Sequence, residues 1–166
     1  MILIMNVPIK YLPKRLTRKD KAKQKKQLKK SRAAYKKGIY IHRKPLKSFK
    51  NKKSQHILNA EKLYKVNKIV VNNNLAKKTG CSIKALNKIV KKGQGAYYSS
   101  GSRPNQSAHS WGIARLASSI SGGKAAAVDY NILEEGCSSN SKALKLAKKS
   151  RIKNGYGTRK VPKTKL

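Results

Sequence analysis

The chain has 166 residues, of which 42 are Lys or Arg and five are Asp or Glu, giving a formal charge of +37. Like charges at this density oppose compaction, and solubility alone needs a net charge of only about 2–8, so a polyanionic partner is expected, either nucleic acid or an acidic protein surface. Five carboxylates leave little material for a magnesium-dependent nuclease, and the adjacent Glu134 and Glu135 point apart on a helix.

The opening run Met1–Met5 is apolar but too short for a membrane span or a signal peptide's core, and is expected as a short strand or a segment tucked onto a partner. Residues 1–53 carry 20 basic side chains against Asp20 alone, which reads as a basic N-terminal arm. Within it, Thr17-Arg-Lys-Asp20 is a variant capping box for a helix running to Gly38. That helix has only sparse apolar positions (Leu28, Ala33, Ala34, Tyr35), so it is either unstable alone or held by contacts along its length. From Ile39 to Lys53 the chain reads as extended, with Pro45 excluding a long helix.

A central domain over residues 54–137 follows, with a short helix at His56–Tyr64 and a β-like run at Lys68–Val71. Residues 75–90 have the pattern of a helix-turn-helix: Ala76 at the crossing, Gly80 in the turn, Ser82 capping the second helix, and Leu86 and Ile89 holding it down. In that arrangement Ser82, Lys84, Ala85 and Lys88 face a groove or partner, although no base-reading Arg or Gln lies on the second helix, and a plain helical hairpin fits the pattern too.

Gly93 is expected to stop this helix and open a Gly/Ser loop over 93–106. Its glycines permit close backbone approach, and Ser99, Ser100, Ser102 and Arg103 cluster before a helix N-terminus, where an anion could sit. The bland alternative is that Arg103 braces the loop above a core of Tyr97, Tyr98 and Trp111. A core helix over 107–121 carries His109, Ile113, Leu116 and Ile120 at helical spacing. A short helix near Val128–Glu135 completes a centre that is neutral over 93–137: Arg103, Arg115 and Lys124 against Asp129, Glu134 and Glu135. Residues 138–166, with ten basic residues and no acid, read as a C-terminal arm that begins with Ser141 capping a helix over Lys142–Lys149.

The expected fold is therefore mainly α: a small helical central domain with long basic arms, partly extended. Polyanion binding is assigned to Lys14, Arg15, Arg18, Lys19, Lys25, Lys26, Lys29 and Lys30 in one arm and to Lys148, Lys149 and Arg151 in the other. Cys81 and Cys137 read as reduced thiols, nothing marking secretion, although a disulfide between them stays open. With three His and two Cys lacking paired spacing, neither a metal site nor a nucleophilic triad is expected, and no cofactor.

The string Lys92-Gly-Gln-Gly-Ala-Tyr-Tyr-Ser-Ser-Gly-Ser-Arg-Pro-Asn-Gln-Ser-Ala-His-Ser-Trp-Gly-Ile-Ala-Arg-Leu-Ala-Ser118, with Thr79-Gly-Cys-Ser82 and Tyr11-Leu-Pro-Lys-Arg-Leu-Thr17 upstream, carries a resemblance. Over about Tyr11–Leu133 the chain resembles a small family of basic proteins of large algal DNA viruses, the chloroviruses and their relatives, with similar modules in marine tailed phages. The resemblance implies a viral setting and no catalytic residue. In that setting the expected function is a non-enzymatic virion protein in many copies, without membrane insertion. One reading is a minor capsid component whose Lys-rich arms bind acidic neighbouring capsid proteins, since disordered arms can wrap large surfaces. The other is a core protein that neutralises and packages double-stranded DNA. An RNA-scaffold protein fits the charge but gains nothing from the motif.

Overall fold

The computed structural model describes residues 6–157 and 162–166, so the expectation for Met1–Met5 lies outside the described residues. The chain is mainly α, with eight helices and one two-stranded ribbon among the described residues. They gather into two compact units: residues 6–52, 94–111 and 162–166 in the first, and 53–93 and 112–157 in the second. This differs from the expected order of arm, domain and arm. The basic residues 6–52 are a principal part of one folded unit, and the helix after Ser141 belongs to the other.

In the first unit, strand β1 (Asn6–Pro8) pairs antiparallel with β2 (Lys163–Lys165), Val7 opposite Thr164. Helix α1 (Arg18–Lys36) starts where the sequence places it, with Thr17 Oγ1 accepting the Asp20 N–H at 3.2 Å. Its buried edge is narrow: Gln24, Leu28 and Ser31. Leu28 joins Val7, Tyr11 and Leu12 in a small core edged by Trp111, and Gln24 Nε2 donates to the Tyr11 carbonyl at 3.2 Å. These tertiary contacts hold a helix that self-repulsion would melt in isolation.

Residues 39–53 are extended, as expected, yet they are tied down. The Lys44 N–H donates to Gln27 Oε1 at 2.5 Å, and Gln27 Nε2 returns a bond to the Lys44 carbonyl at 3.2 Å. The Ser48 N–H and hydroxyl both donate to Asp20 Oδ2, at 2.9 and 2.5 Å. Leu16, Leu46 and Phe49 close a second small core beneath. Asn105, in the left-handed region at φ 61°, completes the attachment: its Oδ1 accepts the Leu46 N–H at 2.6 Å, and its Nδ2 donates to the Leu46 and Phe49 carbonyls at 3.2 and 2.6 Å. Side-chain amides thus do for this segment what strand neighbours do in a sheet.

The second unit is built from α2 (Gln55–Tyr64), α3 (Asn73–Thr79), the 83–93 portion of α4 (Ile83–Ser99), the 112–120 portion of α5 (Ala108–Ile120), α6 (Lys124–Val128), α7 (Tyr130–Gly136) and α8 (Lys142–Asn154). Leu75, Leu86, Ile89, Leu116, Ile120, Leu133 and Ala147 form its core, with Ile69 reaching in from the α2–α3 connection. The β-like run expected at Lys68–Val71 forms no strand: Ile69 alone is buried, and no neighbouring chain edge pairs with the segment among the described residues. Gly93 does not stop α4. A Cβ there would lie 2.6 Å from the Gly112 Cα, so Gly93 and Gly112 mark a close helix crossing whose packing outweighs the roughly 1 kcal/mol helix penalty of glycine. The loop that follows shrinks accordingly, because α4 runs on to Ser99.

Three other readings are corrected. His109 is exposed, because the inward face of α5 runs through Leu116, Ala117 and Ile120 instead. The aromatics do not share one core: Tyr97 is fully buried in the first unit, whereas Tyr98 and Trp111 are half-buried, and Leu116 and Ile120 belong to the second unit. Cys81 and Cys137 are joined in a disulfide at the centre of a short antiparallel contact, flanked by Ser82 N–H to Gly136 O and Ser138 N–H to Gly80 O, both 2.8 Å. Closing a 56-residue separation removes denatured-state entropy equivalent to about 4 kcal/mol in the loop-closure picture.

Candidate polyanion-binding surface

Helix α1 carries ten Lys and Arg residues against Asp20. At 1.5 Å per residue its 19 residues span roughly 28 Å. Lys14 and Arg15, just before it, and Arg18, Lys19, Lys26, Lys29 and Lys30 on it are exposed, while Lys25 is half-buried. Asp20, the only acid of the first unit, is occupied by Ser48, whose hydroxyl and N–H hold its carboxyl below the ordinary range. Asp20 stays ionised and faces Lys19 and Lys23, so one negative charge stands against the ten positive charges of α1. Arg15 also lies over the Phe49 ring at 5.2 Å. In the second unit Lys148 and Lys149 are exposed, while Arg151 is half-buried between the rings of Tyr130 and Tyr156, at 4.3 and 4.1 Å.

The helical hairpin forms as the sequence indicates. Asn72 Oδ1 caps α3 by accepting the Leu75 N–H at 2.8 Å, Gly80 turns the chain at φ 75°, and Ser82 Oγ accepts the Ala85 N–H at 3.1 Å. Lys84 and Lys88 are exposed on α4, with Asn87 and Lys91 beside them, and Lys77 and Lys78 are exposed on α3. Ala85 is corrected: it is buried against Gly136, where an added Cβ would come within 2.2 Å of its own. Ser82 is exposed, but its hydroxyl is engaged as the cap.

The four residues of the expected anion site are not brought together for one. Ser99 and Ser100 lie at the C-terminal end of α4, Arg103 is exposed, and Ser102 is buried with its hydroxyl facing inward. Ser107, not this cluster, caps α5, its Oγ accepting the Ser110 N–H at 3.0 Å. The partner of Ser102 is a residue the sequence did not single out. Arg43 Nη2 donates to Ser102 Oγ at 3.0 Å, and Arg43 Nη1 donates to the Tyr97 carbonyl at 2.9 Å and Ser31 Oγ at 3.0 Å. The guanidinium also stacks over the Tyr97 ring at 3.9 Å, and the Arg43 N–H donates to the Tyr97 hydroxyl at 3.0 Å. Burial pulls the guanidinium below its ordinary pKa. It holds structure rather than a ligand, joining α1, the extended segment and the end of α4.

Around it lies an aromatic cluster that spacing in sequence could not reveal. Tyr35 meets Tyr40 at 5.9 Å between ring centres, Tyr40 meets Tyr98 at 5.0 Å, Tyr98 meets Tyr97 at 5.1 Å, and His42 packs on Tyr98 at 5.7 Å. Tyr97 is fully buried, whereas Tyr40 is 63 % exposed and Tyr35 37 %. Burial, reinforced by Tyr97, raises the Tyr98 hydroxyl above its ordinary pKa.

Asp129 is buried and satisfied: Arg115 grips it through Nε at 2.9 Å and Nη2 at 2.7 Å, Lys92 approaches at 3.2 Å, and Ser119 donates at 3.2 Å. No group of three or more His, Cys, Asp or Glu that could hold a metal ion occurs among the described residues. Nor is any helix among them long and apolar enough to cross a membrane.

Fold and surface together define a mainly α protein with a densely cationic exterior. The chain belongs to the family of unknown function DUF5824, which matches residues 8–135. No curated protein and no solved structure matches it.

Proposed function

We propose that the protein is a non-enzymatic structural protein that neutralises nucleic acid, which in the viral setting implied by the resemblance is the packaged genome. The observation that carries this reading is α1: ten cations along roughly 28 Å, held by a narrow buried edge, against a single acid, Asp20. Duplex DNA presents one negative charge per about 1.7 Å of axis, so a preformed row of this density releases many counterions on binding. The exposed Lys77, Lys78, Lys84, Lys88 and Lys91 of the α3–α4 hairpin add a second cationic face.

The role of minor capsid component is the second reading. It drew on long arms free to wrap acidic neighbours, and residues 6–52 are instead gathered into a folded unit, which favours a fixed surface over a tether. The test is duplex binding across a salt series. A steep inverse salt dependence is expected, and replacing Lys19, Lys26, Lys29 and Lys30 by Gln should flatten the slope by about 3–4 with the fold unchanged. Failure to bind duplex, together with retention in the DNA-free shell of opened virions, would replace this function with the capsid role.

A further inference from the structure

We propose that Tyr35, Tyr40, His42 and Tyr98, framed by Lys36, Lys37 and Lys44, form a stacking platform for unpaired bases, so that the protein binds single-stranded nucleic acid through rings as well as charge. This inference rests on the nucleic-acid reading above and names the form of strand one surface takes.

Three observations carry it. The rings form a connected series with centre-to-centre distances of 5.0 to 5.9 Å, anchored at one end by the fully buried Tyr97 and open along Tyr40 and Tyr35, which are 63 % and 37 % exposed. The outer rings are therefore positioned before any ligand arrives, which lowers the ordering cost of binding. Their anchor is fixed in turn: Arg43 stacks on Tyr97 at 3.9 Å and donates its N–H to the Tyr97 hydroxyl at 3.0 Å.

Ile39, 54 % exposed beside Tyr40, extends the apolar surface, and an aromatic patch left open on a chain this polar calls for an occupant. Charge selects that occupant. Lys36, Lys37, His42 and Lys44 are all exposed, and no Asp or Glu occurs in residues 21–52 or 94–111. Rings interleaved with cations and free of carboxylates fit a strand whose phosphates meet the lysines while its bases lie on the tyrosines. A duplex keeps its bases stacked on each other and cannot use the rings.

The experiment measures affinity for oligo(dT), oligo(rU) and a duplex of equal length over a salt series, for the full chain and for Tyr40→Ala, Tyr35→Ala and Tyr40→Phe. Tyr40→Ala should weaken binding of single strands at least about fivefold without altering the salt slope, because a ring and no charge is lost. Tyr40→Phe should bind like the unaltered protein, and all variants should bind duplex equally. A preference between oligo(dT) and oligo(rU) identifies which strand the platform takes. Single-strand affinities unchanged in both alanine variants would overturn the platform while leaving salt-dependent duplex binding, and the function proposed above, intact. Absence of binding to every probe would overturn both.

Discussion

Asn105→Ala tests whether the N-terminal basic segment is folded or a tail. The Asn105 side chain accepts the Leu46 N–H at 2.6 Å and donates to the Leu46 and Phe49 carbonyls at 3.2 and 2.6 Å. At about 1 kcal/mol net per bond, losing three costs about 3 kcal/mol. Alanine must also hold φ near 61°, which adds about 1 kcal/mol that asparagine, able to bond locally, largely avoids. Local opening of residues 43–49 should therefore become about 10²–10³-fold more frequent. Native-state amide exchange reads this directly. The amides of Arg43, Lys44, Leu46 and Ser48 lie in no helix or strand, yet donate to Tyr97, Gln27, Asn105 and Asp20. They should be protected in the unaltered protein and lose protection in Asn105→Ala, while the α7 amides keep theirs. Asn105→Gly removes the bonds but relieves the backbone, so its loss should be about fivefold smaller. Free exchange of these four amides in the unaltered protein would refute the attachment, and unchanged protection in Asn105→Ala would refute the role of the side chain.

Two further perturbations address the carboxylates. Asp129→Ala leaves the Arg115 guanidinium, whose side chain is 22 % exposed, without its partner, whereas Lys92 at 47 % can turn to water. The expected cost is about 3 kcal/mol, a fall in Tm of about 6–12 °C by calorimetry, and an unshifted Tm would count against the network. Asp20 has a folded pKa below its unfolded one, chiefly because the Ser48 hydroxyl and N–H donate to it. Its stabilising contribution is therefore complete above the ordinary carboxylate value and lost as pH falls through the lower folded value. An NMR titration of the Asp20 carboxyl should show the depressed midpoint, and Ser48→Ala, which removes the hydroxyl and keeps the N–H, should move it part of the way back toward ordinary; no movement would remove the Ser48 hydroxyl as the cause.

What could be read from the sequence is local. The Thr17, Ser82 and Ser141 caps each depend on a side chain bonding a backbone N–H three residues away, the Gly80 turn depends on a glycine at φ 75°, and each stands where expected. The mainly α class follows from these signals together with apolar positions at helical spacing, such as Leu86–Ile89 and Leu116–Ile120.

What could not be read depends on partners far along the chain. A run of lysines reads as a tail because charge density opposes folding, and Gln27, Arg43 and Asn105 announce no bonds 17, 54 and 59 residues away. Gly93 reads as a stop until Gly112 is seen against it, and Ser102 as a ligand contact until Arg43 is seen bonded to it. Tyr35, Tyr40 and Tyr98 share no spacing that joins them. The sequence by itself determined most of the helices, the Thr17, Ser82 and Ser141 caps and the excess of positive charge, because each is a property of neighbouring residues or of composition, whereas the run of α4 beyond Gly93 and helix α6 were not legible in it. Only the tertiary structure decided that the basic segment is folded, that the cysteines meet, and that three tyrosines and a histidine form one surface, because each requires closing a loop whose entropic cost only long-range packing can offset.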